Sequence, residues 1–289
     1  MIVYKEKEIK VLKALAHYKY LTKKHFIALG IASTQQKLDE RVLNRLRHGN
    51  DRLIKTSSIS LERPFGRPPQ IYTLTSHGAS ILAEYMDIDV SSISRPIGGV
   101  QFSRDMYHRD NFIYCWIALD QWAEKKGYQV NFFDAYYDCE GAQRLTEGRI
   151  RRKTSVFVDG RTRTPDGNFM LDMAGEKRLF TLELHRFTDT KKICEQLNIH
   201  ARIITGDILT DKYKHQFSNY VLSIHTRKST LQATKARLLQ NAKFRDLKDH
   251  YVFNLVENVT ACFKGPKLVH RGDFGKGWHF MDGEDFRLF

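Results

Sequence analysis

The chain has 289 residues, of which 42% are hydrophobic and 12% aromatic, and these values exclude global disorder and predict two domains. Its net charge of +14 favours an anionic partner, nucleic acid first, over a merely basic soluble protein. The four cysteines form no Cys-x-x-Cys pair, no apolar run could span a membrane, and the N-terminus has no signal-peptide core. We therefore expect a cytoplasmic protein without a membrane partner.

The first residues predict three helices. Apolar positions recur at helical spacing over Lys5–His17. Thr22 is a suitable N-cap for a second helix over Lys23–Leu29, and Ser33 or Thr34 caps a third. The third helix should bury an apolar face and expose a polar one. The polar positions are Gln35, Gln36, Lys37, Arg41, Asn44, Arg45 and Arg47.

A β-hairpin should follow the third helix. Leu53–Leu61 and Ile71–Thr75 have β character, and the basic, proline-rich tip Glu62–Gln70 lies between them. Three helices and a hairpin, over residues 1–86, form the layout of a winged helix-turn-helix. The third helix of such a domain enters the major groove, where Gln, Asn and Arg side chains read base edges. Arg63 and Arg67 on the tip would reach phosphates or the minor groove.

Two alternatives to DNA reading stay open for this domain. In the first alternative the polar helix face is only solvated, as charged faces usually are. In the second the domain mediates protein contacts only. Within the same domain Ser76 should cap a last helix, and residues 87–103 that follow the domain have the composition of a linker.

The second predicted domain covers residues 104–289 and opens with a long helix, Arg104–Lys126, that ends at Gly127. Strands and helices then alternate. The predicted strands are Tyr128–Phe133, Lys153–Val158, Asn168–Met173, Leu179–Glu183, Tyr220–His225 and Tyr251–Leu255. The predicted helices are Lys191–Ile204 and Thr230–Gln240, the latter capped by Ser229. This order predicts a mixed sheet with helices on both faces, an α+β or α/β fold. The tail from residue 258 shows no clear period.

Two carboxylates stand out in this domain. Asp166 begins one predicted strand and Glu183 lies near the end of the next, so a turn at Ala174–Lys177 would bring them together. Paired carboxylates repel each other unless a cation or a proton lies between them. Because a divalent ion held by carboxylates suits a phosphate substrate, we expect Asp166 and Glu183 to bind Mg²⁺ or Mn²⁺.

Two further residues are candidates for the same site. Strand alternation places His185 on the face of Glu183. His185 would bind the metal, act as the base for an attacking water, or fill space in a degenerate site. Asp110, near the start of the long helix, either joins the site or is a helix-start acid favoured by the helix dipole.

Short motifs carry a resemblance to known families. Pro-Asp-Gly at Asp166 and Leu-Glu-Leu-His-Arg around Glu183 resemble the PD-(D/E)xK restriction-endonuclease-like fold. The order along the chain is a winged helix, then His-x-Asp at Asp110, then these two motifs. This order resembles the replication-relaxation family of plasmids and other mobile elements. That family is similar to conjugative relaxases related to restriction endonucleases. His185 departs from the pattern, because the family has Asp there and ordinary nucleases have Lys.

The resemblance implies a DNA-binding protein of a plasmid or mobile element. Its winged helix would recognise a site in double-stranded DNA, and its nuclease-like domain would nick DNA with Mg²⁺ or Mn²⁺ through the catalytic residues Asp166, Glu183, His185 and Asp110. The alternative is a non-catalytic replication initiator or transcriptional regulator with a degenerate nuclease fold. Candidate partners besides DNA are a second copy of the chain and other proteins of the mobile element.

Overall fold

The structure is a computed structural model that describes residues 4–48, 52–57, 69–96, 105–139, 152–214, 219–264 and 267–287. The chain divides into two compact units. Met1–Ile117 and Ala261–Arg271 form the first, and Ala118–Thr260 and Gly272–Phe289 form the second. These boundaries differ from the predicted linker at 87–103. Trp116 supplies a reason, because its ring packs 5.1 Å from that of Tyr18, so the beginning of the long helix belongs to the first unit.

The described part of the first unit contains several helices. They are α1 (Glu6–Tyr18), α2 (Lys23–Ala28), α3 (Gln35–Leu38), α4 (Asn44–His48), α5 (Ser76–Met86) and the first part of α6 (Met106–Lys126). A π-helical segment, Asp39–Leu43, joins α3 to α4, so the third predicted helix forms one run with a widened turn inside it. Thr34 caps this run, since its Oγ1 accepts a hydrogen bond from the Lys37 N–H at 3.3 Å. Its predicted apolar face is confirmed by the buried side chains of Leu38, Val42, Leu43 and Leu46.

The predicted hairpin of the first unit is also present. Strands β1 (Ile54–Ser57) and β2 (Ile71–Leu74) pair antiparallel. Leu21 adds a bridge to this pair, because its N–H donates to the Tyr72 carbonyl at 3.1 Å and the Tyr72 N–H donates back at 2.7 Å. The predicted tip, with Arg63 and Arg67, lies outside the described residues except for its last two positions.

The cap of α5 was predicted one residue too late. Thr75, rather than Ser76, has the extended backbone of an N-cap, and its Oγ1 accepts from the Gly78 N–H at 2.9 Å. Thr75 Oγ1 also lies within hydrogen-bond distance of the Arg52 carbonyl, 2.8 Å away. This cap therefore ties the start of the helix to the residues that precede β1.

A five-stranded mixed sheet forms the centre of the second unit. The strands of this unit are β3 (Gln129–Ala135), β4 (Val156–Val158), β5 (Arg161–Arg163), β6 (Gly167–Met173), β7 (Glu176–His185), β8 (Asn219–His225) and β9 (Tyr251–Leu255). The sheet order is β3-β6-β7-β8-β9, antiparallel from β3 to β7 and parallel from β7 to β9. The mixed sheet and the α+β class are thus confirmed. The predicted strand Lys153–Val158 is only β4, which pairs with β5 in a separate two-stranded ribbon.

Helices connect the parallel strands, as a βαβ crossover requires. The helices of this unit are the remainder of α6, then α7 (Thr190–Thr205), α8 (Ile208–Tyr213), α9 (Lys228–Leu239), α10 (Ala242–Arg245) and α11 (Val256–Val259). Leu197 of α7 and Leu238 of α9 pack with Val221 and Phe253 of the sheet in one apolar core. The N-cap of α9 is Arg227 and not Ser229, because the helix begins at Lys228.

The tail that the sequence could not place has defined structure. Strands β10 (Ala261–Lys264) and β11 (Lys267–Arg271) form an antiparallel hairpin that belongs to the first unit. Phe263 of β10 contacts Tyr114 there, with ring centroids 5.7 Å apart. Phe274 and Trp278 follow and are buried in the second unit. None of the described helices is long and apolar enough to cross a membrane.

Candidate functional site

The helical run from α3 to α4 presents the polar residues expected to contact DNA. Its surface comprises the exposed residues Gln36, Lys37, Arg41, Asn44 and Arg45 and the half-buried residues Gln35 and Arg47. Within the residues that the structure describes, Lys37 and Arg41 take part in no ion pair. Both side chains are exposed, so an external anion can reach them.

Arg45 and Arg47 also have partners inside the first unit. Arg45 Nε lies 3.2 Å from Glu8 Oε1, and Glu8 is only 1% exposed. Arg45 thus neutralises a buried carboxylate, which the sequence pattern did not reveal. Arg47 donates to Asn44 Oδ1 at 3.1 Å and to His48 Nε2 at 2.9 Å, so these three side chains orient one another.

Glu183 lies on β7, and Asp166 immediately precedes the neighbouring strand β6. Gly167 pairs with Leu182 in the antiparallel register. Asp166 precedes Gly167 and Glu183 follows Leu182, so these two acids are adjacent across the strand pair. Asp166 Oδ2 accepts a hydrogen bond from the Leu184 N–H at 2.8 Å. The turn between β6 and β7, at Ala174 and Gly175, thus brings the two acids together in the region that the sequence indicated.

His200 was missed in the sequence, and it contacts Glu183. His200 Nε2 lies 2.6 Å from Glu183 Oε1, and both residues are buried. The side chain comes from α7, which packs against the sheet. A signal was present, because His200 falls seven residues after Ile193 and three after Leu197 on the apolar stripe of a predicted helix. A histidine on such a stripe must find a polar partner in the core.

The sheet face around Glu183 is unusually polar for a protein interior. Thr181 Oγ1 donates to Asn168 Oδ1 at 3.0 Å, and Ser223 Oγ lies 3.0 Å from His225 Nε2. His185 shares this face, as predicted from strand alternation, and its ring centroid lies 4.9 Å from that of His225. Burial lowers the pKa of His225 to about 4, so this imidazole is neutral at pH 7.

These residues do not fit a divalent metal site as they stand. Within the described part of the chain, no group of three or more His, Cys, Asp or Glu side chains is arranged to hold a metal ion. Asp166 and Glu183 are carboxylates of the right kind, but His200 occupies one oxygen of Glu183 and the Leu184 N–H bonds Asp166.

Asp110 lies in the first unit, whereas Asp166 and Glu183 lie in the second. His25 Nε2 is 3.3 Å from Asp110 Oδ1 and 3.2 Å from the Asp110 carbonyl oxygen. Burial lowers the pKa of His25, and the charge of Asp110 opposes that shift. Asp110 therefore has a partner that ties α6 to α2.

The chain matches no protein-family model, no curated protein and no solved structure.

Proposed function

We propose that this chain binds double-stranded DNA through its first unit, which we assign as a winged helix-turn-helix of a plasmid or mobile-element protein. One observation carries the proposal. The run from α3 to α4 buries an apolar face and exposes Lys37, Arg41 and Asn44 on the other side. These residue types suit contacts with phosphates and base edges.

The arrangement around that run supports the same proposal. The run is preceded by α1 and α2 and followed by the β1–β2 hairpin, which Leu21 extends through its bridge to Tyr72. A helix that enters a groove beside a hairpin that reaches the backbone is the docking mode of winged helices. The chain's net charge of +14 adds long-range attraction for an anionic partner.

The test compares two double variants in a titration of labelled duplex DNA. Lys37→Ala with Arg41→Ala should weaken binding by about 1–3 kcal/mol for each side chain that reads a base. For each side chain that binds a phosphate, the slope of log K against log salt concentration should fall in magnitude by about 1. Lys7→Ala with Lys10→Ala removes two exposed charges of α1 and serves as the control. If both variants bind like the wild type, the proposed docking mode is wrong.

DNA nicking by the second unit is a second candidate function. The adjacency of Glu183 on β7 and Asp166 just before β6 favours it, and the order of α6, the antiparallel hairpin, α7 and the parallel strand β8 agrees with a PD-(D/E)xK core. The resemblance to the replication-relaxation family belongs to this candidate. The 2.6 Å contact between Glu183 and His200 opposes it and favours a non-catalytic, nuclease-like domain.

Supercoiled plasmid incubated with protein and Mg²⁺ or Mn²⁺ separates the two candidates. Asp166→Asn is the informative variant, because its side-chain oxygen can still accept from the Leu184 N–H and so preserve the fold. Nicking by the wild type that this variant abolishes would establish the enzyme. If the wild type leaves the plasmid intact, the nicking candidate is removed and DNA binding stands.

A further inference from the structure

Two adjacent loops, which follow the carboxyl ends of strands β7 and β8, carry a dense group of cations. Parallel pairing of β7 and β8 brings their carboxyl ends together, with His185 beside His225, and the Thr226 N–H donates to the His185 carbonyl at 3.1 Å. We name the segments that follow, Arg186–Lys192 and Thr226–Ser229, the β–α surface. Its charged residues are Arg186, Asp189, Lys191, Lys192, Arg227 and Lys228.

The β–α surface is strongly positive and accessible. It holds five Lys or Arg residues against one carboxylate, Asp189. Asp189 caps the N-terminus of α7, because its Oδ1 accepts a hydrogen bond from the Lys192 N–H at 3.1 Å. Lys191, Lys192, Arg227 and Lys228 are all exposed. The Arg237 guanidinium of α9 adds to this charge, because its Nη1 donates to Thr190 Oγ1 at 3.3 Å.

Three cations of the β–α surface differ from several other cations of the same unit. Arg178, Arg202 and Lys248 each form an ion pair with a carboxylate. In the part of the chain that the structure describes, Lys191, Arg227 and Lys228 form none. Lys192 instead lies over the ring of Phe187, 5.0 Å from its centroid, and Phe187 is 62% exposed. Clustered positive charges repel one another, and an external polyanion relieves that repulsion.

We propose that the β–α surface binds the phosphate backbone of DNA, as a second contact of the chain with duplex DNA. This inference rests on the proposed function of the first unit, which identifies DNA as the polyanion. The contact needs no metal and no cleavage. It gives the second unit a role in DNA binding even if its carboxylates are inert. Because phosphate contacts are independent of sequence, this surface contributes affinity and not site selection.

Charge-neutralising variants test the contact. Lys191→Gln with Lys192→Gln, and the same pair with Lys228→Gln, are compared with Lys125→Gln and Lys126→Gln. The control pair is also exposed and also adjacent on a helix of the second unit, α6. Affinity for a labelled duplex is measured over a series of salt concentrations. The slope of log K against log salt should fall in magnitude by about 0.9 for each phosphate that the variant no longer neutralises.

The outcomes separate this inference from the proposed function. We expect the magnitude of the slope of log K against log salt to fall by about two to three in the triple variant. The slope of the control pair should not change. If the wild type binds duplex DNA and the triple variant keeps its affinity and its slope, the second contact is wrong while DNA binding stands. If the wild type shows no affinity for duplex DNA, both proposals fall.

Discussion

His200 Nε2 lies 2.6 Å from Glu183 Oε1, and neither side chain is more than 5% exposed. A carboxylate at such depth is costly unless a partner satisfies it. His200 supplies that partner from α7, across the apolar core that joins this helix to the sheet. The contact thus links Glu183, one acid of the candidate site, to the stability of the second unit.

His200→Ala should therefore destabilise the protein by about 3–5 kcal/mol, the cost typical of removing one member of a buried pair. Urea unfolding measures the change. His279→Ala is the matched control, because His279 also pairs with a carboxylate, that of Asp285, but at a surface where the partners are 45% and 82% exposed. We expect the control to cost less than about 1 kcal/mol. Equal effects in both variants would contradict a stabilising role of the buried pair.

His225 should make the stability of the protein depend on pH. Burial lowers its pKa from 6.5 to about 4, so the unfolded chain binds a proton at a pH where the folded chain does not. Stability is then lost as pH falls from about 6.5 towards 4, by about 2 kcal/mol between pH 7 and pH 5. His225→Asn removes the titrating group and can keep a hydrogen bond to Ser223.

Urea unfolding at pH 7, 6 and 5 tests this dependence. The wild type should lose more stability than His225→Asn over that interval, and the difference between the two curves isolates His225 from other titrating groups such as His25. Parallel curves would show that the imidazole of His225 does not resist protonation.

Elements with a long or strongly apolar pattern could be predicted from the sequence. The 21-residue helix α6, the amphipathic helices α1 and α7, and the parallel strands β8 and β9 were predicted close to their bounds, because burial imposes their periodicity. The β6–β7 hairpin was equally clear, and with it the adjacency of Asp166 and Glu183.

Short and half-exposed elements could not be predicted. Strands β5 and β10 have only three and four residues, and none of these residues is buried. The place of the β10–β11 hairpin in the first unit depends on contacts such as Phe263 with Tyr114, which are remote in sequence. The partners of Glu183 and Arg45 were hidden for the same reason, since His200 and Glu8 meet them only after the chain has folded.

Arg45 illustrates how such a partner changes an experiment. Arg45→Ala leaves the 1% exposed carboxylate of Glu8 without its cation, so we expect a loss of stability. Because the Arg45 side chain is 46% exposed and water screens the pair, the loss should be about 1–2 kcal/mol and not the full cost of a buried pair. Thermal unfolding of both single variants and of Arg45→Ala with Glu8→Gln measures the coupling.

The double variant should recover part of the loss, because it removes the buried charge as well as its partner. Reduced DNA binding by Arg45→Ala would then reflect a weakened fold, whereas the same result for Arg41→Ala would not. Strictly additive effects of the two single changes would show that Arg45 and Glu8 are not coupled.

Gly78 allows α5 to approach the hairpin closely. A Cβ atom at this position would lie 2.1 Å from the Leu53 carbonyl oxygen and 3.0 Å from Leu74 Cδ1. Gly→Ala in a helix normally stabilises by about 1 kcal/mol, but a clash with backbone typically costs about 1–3 kcal/mol or more, so the clash should decide the sign. We expect Gly78→Ala to lower the unfolding temperature, and Ser80→Ala, at an exposed site of the same helix, to leave it nearly unchanged. A gain in stability from Gly78→Ala would mean that α5 and the residues before β1 can move apart without cost.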